Sequence, residues 1–342
     1  MKTYLNSPKS YAKSGIYFPN LTLYRRPPKH PRGNTRYQLY VEFSGPKMLF
    51  GNNFDELTEK DFETLVRVII EKLYEMIGHM FFPDQIRNAL VSAWHPSKNI
   101  VFLDYTASQT ILNTLAKLDV SRVYDFQKDR YRDGTVLHIH ANSIDISFYD
   151  KMADLRKAKK SERRAVEKDN QAQLEFLEPL DDFKPLEVFR YEIRLGKRDM
   201  IKRTYPDMKG WSFEEMFKQE HCQGLLQKHW HKITSSVDLL ALDVDKPFEL
   251  MQNYLADNPD KSLSKAMRGI LGLLVINQES TTVLRNIIEA HYGKDAWYSL
   301  KKDIKSPEKY RYKAFQRIDE QLEKFTPTNV SQFKETIENT IK

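Results

Sequence analysis

Apolar and polar positions alternate through residues 20–43, as in half-buried strands, and "RRPPKHPRGN" interrupts the alternation with proline, glycine and basic residues. Two strands joined by a basic loop are expected there. The period then changes. In "ELTEKDFETLVRVIIEKLYEMI" the residues Phe62, Leu65, Val66, Ile69, Leu73 and Met76 recur at helical spacing and share one face. Thr58, three residues ahead of Asp61, supplies an approximate capping box at the start of that helix. "NIVFLDYTA" (99–107) is a short strand of the buried type, and "SQTILNTLAKL" after it is helical. A hairpin over 135–149 follows, then a highly charged stretch over 150–175, then the strand "LEVFRYEIRL" over 186–195. From about Trp211 onward the pattern is helical, broken at Pro247, Pro259, Pro307 and Pro327. The pattern predicts an α+β fold: an antiparallel-sheet domain over 1–210 and an all-α region over 211–342. One central sheet is expected to take in 37–43, 99–105, 135–149 and 186–195.

Composition narrows the class. The chain of 342 residues is long enough for two domains, and 40% hydrophobic with 30% charged residues is the balance of a folded globular protein. There are 54 Lys and Arg against 47 Asp and Glu, a net charge of +7, which permits an anionic partner without naming one. The single Cys222 excludes an intrachain disulfide framework and any cysteine-only metal site, and fits a reducing compartment. The N-terminal stretch lacks an apolar signal region, and no apolar run approaches 18 residues. A cytoplasmic protein with no membrane partner is expected.

The chemistry concentrates in "HIHANSIDISFYDK", residues 138–151. Asn142 and Ser143 are turn residues. A two-residue turn there pairs Ala141 with Ile144, His140 with Asp145, His138 with Ser147 and Val136 with Tyr149. Side chains alternate along a strand, so His138, His140, Asp145, Ser147 and Tyr149 then share one face. Leu137, Ile139, Ile144, Ile146 and Phe148 take the other, and a one-residue slip destroys the arrangement. Two histidines on one face are candidate metal ligands and the tyrosine a candidate nucleophile. The plainer reading is an edge hairpin with polar side chains outward. A second His-hydrophobic-His match, His229 to His231, lies in the helical "GLLQKHWHKI", where residues two apart do not share a face, and is read as accidental.

The segment "ISFYDKMADLRKAKKSERRAVEKDN" and the later "LEVFRYEIRLGKRDMIKRTYPDMKGWSFEEMF" resemble the replication initiation proteins of filamentous bacteriophages, the gene II family. That family is related to the rolling-circle initiators of small plasmids. The resemblance takes in "YVEFSGPKMLFGNNFDELTEKDF" and "NIVFLDYTA", covering roughly residues 37–220. It implies that Tyr149, in "FYDK", is the nucleophile. The acidic residue of the family's first metal strand falls on Asp104 and the glutamate of its last on Glu192, between Arg190 and Arg194. Phe102 stands where the family has an arginine. In the His-hydrophobic-His nucleases the tyrosine typically lies on a later helix, so the metal here is held by acidic residues alone or by a mixture.

The chemistry asks for the same residue types. A tyrosine hydroxyl, pKa about 10, is a weak nucleophile at neutral pH and needs nearby positive charge. Mg²⁺ or Mn²⁺ on Asp104, Glu192 and Glu42 would polarise the scissile phosphate, with His138 and His140 as the alternative donors, shifting preference toward Mn²⁺. Lys151 is expected to touch a phosphate oxygen. Residues 150–170 carry eight Lys and Arg against five Asp and Glu, so Arg156, Lys159, Lys160 and Arg163 form a candidate basic edge beside the cleavage site. Arg25, Arg26, Lys29, Arg32 and Arg36, with Tyr24 and Tyr37 interleaved, suit phosphate contact and base stacking, and Arg190 and Arg194 join the DNA-contact set. The C-terminal helices fit either a DNA-binding helix–turn–helix or a packing region. Two functions emerge. One is a rolling-circle initiator, a metal-dependent tyrosine nickase and strand transferase acting on origin DNA with host helicase and polymerase, as monomer or dimer. The other is a non-catalytic protein that binds an origin or other nucleic acid.

Overall fold

The computed structural model describes residues 2–5, 16–27, 35–103, 106–118, 126–131, 135–141, 144–154, 187–208, 210–234, 247–304 and 313–329. The fold is α+β, and the described residues form two antiparallel sheets. Strands β1 (Lys2–Leu5), β2 (Asn20–Arg26) and β3 (Arg36–Glu42) form a three-stranded sheet in that order. Strands β4 (Ser97–Phe102), β5 (Phe126–Tyr131), β6 (Val136–Ala141), β7 (Ile144–Asp150) and β8 (Glu187–Arg194) form a five-stranded sheet ordered β4-β8-β7-β6-β5.

The separation of β3 from the larger sheet corrects the expectation that 37–43 belongs to it. The physical reason is that both partners are already satisfied. Leu39 and Val41 of β3, with Leu21 of β2, pack on the apolar face of helix α2 (Phe62–Ile77), which buries Leu65, Val66, Ile69 and Leu73. The outer edge of β4 is meanwhile closed by side chains. Gln321 accepts from Val101 N and donates to Val101 O, both at 2.9 Å, while Glu56 accepts from Asn99 N and the Thr328 hydroxyl donates to Asn99 O. Glu56 also pairs with the buried Lys98, which donates to Thr326 O at 2.8 Å. An edge so closed offers no ladder to β3. Helix α2 starts as expected, with the Thr58 backbone N–H donating to the Asp61 carboxylate at 2.7 Å. It ends at Gly78, whose φ of 66° is the left-handed conformation that glycine adopts without strain. Short helices α1 (Gly45–Phe50) and α3 (Pro83–Arg87) flank it.

One face of the five-stranded sheet is apolar. Leu137, Ile139, Ile144, Ile146, Phe148, Tyr191 and Ile193 are buried there under helix α4 (Ser108–Lys117) and helix α7 (Gln219–Thr234). Phe148 stacks on Tyr191 at 4.7 Å between ring centres, and the Tyr191 hydroxyl donates to Leu226 O of α7 at 3.1 Å. Each such aromatic stabilises by about 2–3 kcal/mol relative to exposure. Between β8 and α7 lie helices α5 (Arg198–Thr204) and α6 (Phe213–Met216). Beyond α7 the described chain is helical: α8 (Pro247–Asp257), α9 (Leu263–Gln278), α10 (Thr281–Tyr292), α11 (Lys294–Ile304) and α12 (Lys313–Lys324). Their buried residues, Trp297 and Phe315 among them, continue the core of the sheet, and Trp230 packs edge-on against Phe315 at 5.1 Å. Pro247 starts α8, while Pro307 lies outside the described residues.

Candidate functional site

The opposite face of this sheet is polar, and its register sets out the site in rows. His138 lies opposite Ser147, which lies opposite Glu192, which lies opposite Ser97. In the next row His140 faces Asp145, and Asp145 faces Arg194. In the row on the other side Val136 faces Tyr149, Tyr149 faces Arg190, and Arg190 faces Asn99. The expected hairpin pairing from Val136–Tyr149 to Ala141–Ile144 is present in full, although the turn residues Asn142 and Ser143 lie outside the described residues. The alternation carries the site: the residues between these positions are the buried Leu137, Ile139, Ile146, Phe148, Tyr191 and Ile193.

Tyr149 donates a hydrogen bond to Glu192 Oε2 at 3.3 Å. Burial raises the phenol pKa well above its usual value; the Arg190 guanidinium works against this rise and the Glu192 carboxylate adds to it. A free tyrosinate is therefore disfavoured, and a proton acceptor is already in place. Burial alone would also raise Glu192, but Arg190 and Arg194 outweigh it and hold the carboxyl below its usual value. Arg194 Nε stands 2.7 Å from Glu192 Oε1, and Arg190 Nε 3.7 Å from Oε2. Arg190 is fixed from behind: its Nη atoms donate to Ser97 Oγ at 2.7 Å, Asn99 Oδ1 at 3.0 Å and Asn53 O at 3.3 Å.

Beside this pair His138, His140 and Asp145 converge, with their nearest donor atoms all within 4.8 Å of one another. The Nδ1 atoms of His138 and His140 lie 3.7 Å and 3.3 Å from Asp145 Oδ1, and the two rings stack with an interplanar angle of 3°. Ligand atoms about 2.0–2.2 Å from one ion stand roughly 3.0–3.5 Å apart; the His140–Asp145 spacing of 3.3 Å meets this, and His138 at 3.7 Å needs a small shift to join them. The donor chemistry suits a metal too. Asp145 Oδ1 is buried and, among the described residues, has no hydrogen-bond donor aligned on it. Burial would raise the Asp145 carboxyl, but His138, His140 and Arg194 outweigh it and hold it below its usual value. Two imidazoles and one carboxylate favour a first-row transition ion such as Mn²⁺ over Mg²⁺.

This is not the donor set expected from the resemblance. Both oxygens of Glu192 are engaged by Arg194 and Tyr149. Glu42 is exposed at the end of β3 in the other sheet. Asp104 lies outside the described residues; the end of β4 next to it, at Phe102, pairs with Glu187, and Ser97 is the residue opposite Glu192. Lys151 corrects a further expectation. It is 1% exposed and donates to Asn53 Oδ1 at 2.8 Å, because β7 ends at Asp150 and the chain turns into a short helical segment at 151–154, so the strand alternation that would carry Lys151 onto the face of Tyr149 stops before it. Arg190, similarly, directs its Nη donors to Ser97, Asn99 and Asn53, and only 13% of its side chain is exposed. Arg194 remains 38% exposed beside Glu192. Arg25, Arg26 and Arg36 are exposed on β2 and β3, with Arg26 lying 5.3 Å from the Tyr24 ring centre and Tyr37 well exposed nearby. Lys29, Arg32, Arg156, Lys159, Lys160 and Arg163 lie outside the described residues. His229 and His231 sit on helix α7, His229 buried with its pKa lowered to about 4 by that burial, and His231 exposed.

No family model, curated protein or solved structure matches the chain. No helix among the described residues is long and apolar enough to cross a membrane.

Proposed function

We propose that this chain is a metal-dependent tyrosine DNA nickase and strand transferase that starts rolling-circle replication. The observation that supports it most is the Tyr149–Glu192 hydrogen bond on the same sheet face as the His138–His140–Asp145 cluster. The resemblance to filamentous-phage initiators points the same way. In this reading Tyr149 attacks an origin phosphate and forms a 5′-phosphotyrosine, freeing a 3′-OH for a host polymerase behind a host helicase. Reversal reseals the strand. Glu192 takes the phenol proton as the oxygen–phosphorus bond forms, which answers the raised pKa of Tyr149. Arg190, pinned by Ser97 and Asn99, holds Glu192 in the ionised form that can accept it. Mn²⁺ or Mg²⁺ on His138, His140 and Asp145 would supply positive charge to the scissile phosphate. Arg194 lies between that cluster and Glu192, open enough to meet a phosphate oxygen. The exposed Arg25, Arg26 and Arg36 with Tyr24 and Tyr37 suit the flanking single strand.

The raised pKa of Tyr149 equally favours a second reading, an origin-binding protein without chemistry. Incubation with Mn²⁺ and a random-sequence pool of single-stranded oligonucleotides separates the two. The nickase reading predicts an SDS-stable protein–DNA adduct from the wild type and none from Tyr149→Phe. DNA binding without an adduct or cleavage favours the second reading.

A further inference from the structure

His95 lies just before β4, and the backbone there continues the β4–β8 register. Trp94 and Leu195 exchange two hydrogen bonds at 2.9 Å, and Ile193 N donates to Pro96 O at 2.9 Å. Since Ser97 pairs with Glu192 and Trp94 with Leu195, residue 95 stands opposite Arg194 with the parity of Ser97 and Asn99. His95 therefore belongs to the polar face, at the end of the row containing His140, Asp145 and Arg194. Glu192 is then a diagonal neighbour of two residues: Tyr149 on β7 and His95 ahead of β4. Diagonal neighbours in an antiparallel sheet stand about 7–8 Å apart. Tyr149, Glu192 and His95 lie on one diagonal across three adjacent strands, with Glu192 in the middle.

Part of the His95 side chain is open to solvent. The charged groups around it are Glu192, Arg194, Glu42 of the other sheet and Asp145. Its partial burial lowers the imidazole pKa, and Glu192 opposes that fall.

Resting on the nickase reading above, we infer that His95 is a catalytic residue that protonates the leaving 3′ oxygen as Tyr149 attacks phosphorus. Phosphoryl transfer places the attacking and leaving oxygens roughly in line, on opposite sides of the phosphorus. A phosphate over Glu192 has Tyr149 on one side and His95 on the other. The leaving sugar alkoxide is more basic than the attacking phenolate, whose conjugate acid has a pKa of about 10, so it needs the proton more. The step balances. The Tyr149 oxygen–phosphorus bond forms and the phosphorus–O3′ bond breaks. The phenol proton passes to Glu192, and the imidazolium proton passes to O3′. Carboxylate and imidazolium become carboxylic acid and neutral imidazole, with no change in total charge. Proton exchange with solvent then restores the carboxylate and the imidazolium. In resealing, neutral His95 takes the proton from the 3′-OH.

The test compares two substrates built on the cleaved step recovered from the oligonucleotide pool, one with the natural O3′ and one with sulfur in its place. A thiolate leaves without a proton. Single-turnover adduct formation with Mn²⁺ is expected to fall about 10²–10³-fold in His95→Ala and His95→Gln on the oxygen substrate. On the sulfur substrate both variants are expected within about tenfold of wild type. Equal losses on the two substrates, or no loss on either, overturn the assignment while leaving the nickase reading intact. A wild-type protein that cleaves neither substrate overturns both.

Discussion

Glu192→Gln is the substitution that separates the site's electrostatics from its chemistry. It keeps the shape of the side chain and removes its charge. The Arg190 guanidinium, buried and deprived of its carboxylate, retains its bonds to Ser97, Asn99 and Asn53. Breaking a buried ion pair from one side costs about 3–5 kcal/mol. Two features reduce that figure here: Arg194 is 38% exposed and loses little, and the new amide oxygen can still accept from one neighbour. A loss of about 2–3 kcal/mol in urea unfolding at pH 7 is expected. The pH dependence has a definite sign. The folded pKa of Glu192 lies below its unfolded value near 4.5, so its stabilisation is present above that value and disappears as pH falls through the folded pKa. The gap between wild type and variant should be flat above about pH 5 and close at lower pH. Adduct formation should fall about 10²–10⁴-fold, the usual contribution of a placed proton acceptor. A variant within about 0.5 kcal/mol of wild type, with unchanged adduct yield, would refute the reasoning.

The candidate metal cluster makes a similar demand. Mn²⁺ at about 100 times its Kd should raise wild-type stability by about 2.7 kcal/mol in a thermal-shift titration, and His138→Ala with Asp145→Asn should abolish that increment. Gly269 on α9 meets α11 so closely that an added Cβ would lie 2.6 Å from the Asp303 carbonyl oxygen. Gly269→Ala is expected to destabilise by about 1–3 kcal/mol in chemical unfolding, and a neutral or stabilising result would mean that the two helices are not packed this closely. Gln321→Ala leaves both backbone groups of Val101 without their partner at the edge of β4, with an expected cost of about 1–2 kcal/mol by the same measurement.

The readable and unreadable parts of the sequence divide on physical grounds. The 138–149 hairpin was legible because alternation and two turn residues jointly fix one register, and the face with Tyr149, Ser147, Asp145, His140 and His138 follows from it. Helix α2 was legible from its period and its Thr58–Asp61 cap. The place of β3 was not, since Leu39 and Val41 fit the apolar face of either sheet, and the closure of β4 by Gln321 and Thr328 joins residues more than 200 positions apart. The hairpin register puts Asp145 on the face of Tyr149, but a lone aspartate after a turn carries no spacing that marks it as a candidate ligand. His95 carried no signal at all: it precedes a proline outside any strand pattern, and only the Trp94–Leu195 bridge puts it beside Glu192. Lys151 does not follow the face of Tyr149, since the switch from strand to helix after Asp150 leaves no mark in the local sequence.

The nickase reading stands or falls on whether Tyr149 becomes joined to DNA. Its most direct test is protease digestion of the trapped adduct followed by mass-spectrometric sequencing of the nucleotide-bearing peptide. The expected product is a 5′-phosphotyrosine on Tyr149, in the peptide containing "ISFYDK". A nucleotide found on another tyrosine, such as Tyr105 or Tyr191, or cleaved DNA with no linked peptide, would contradict it.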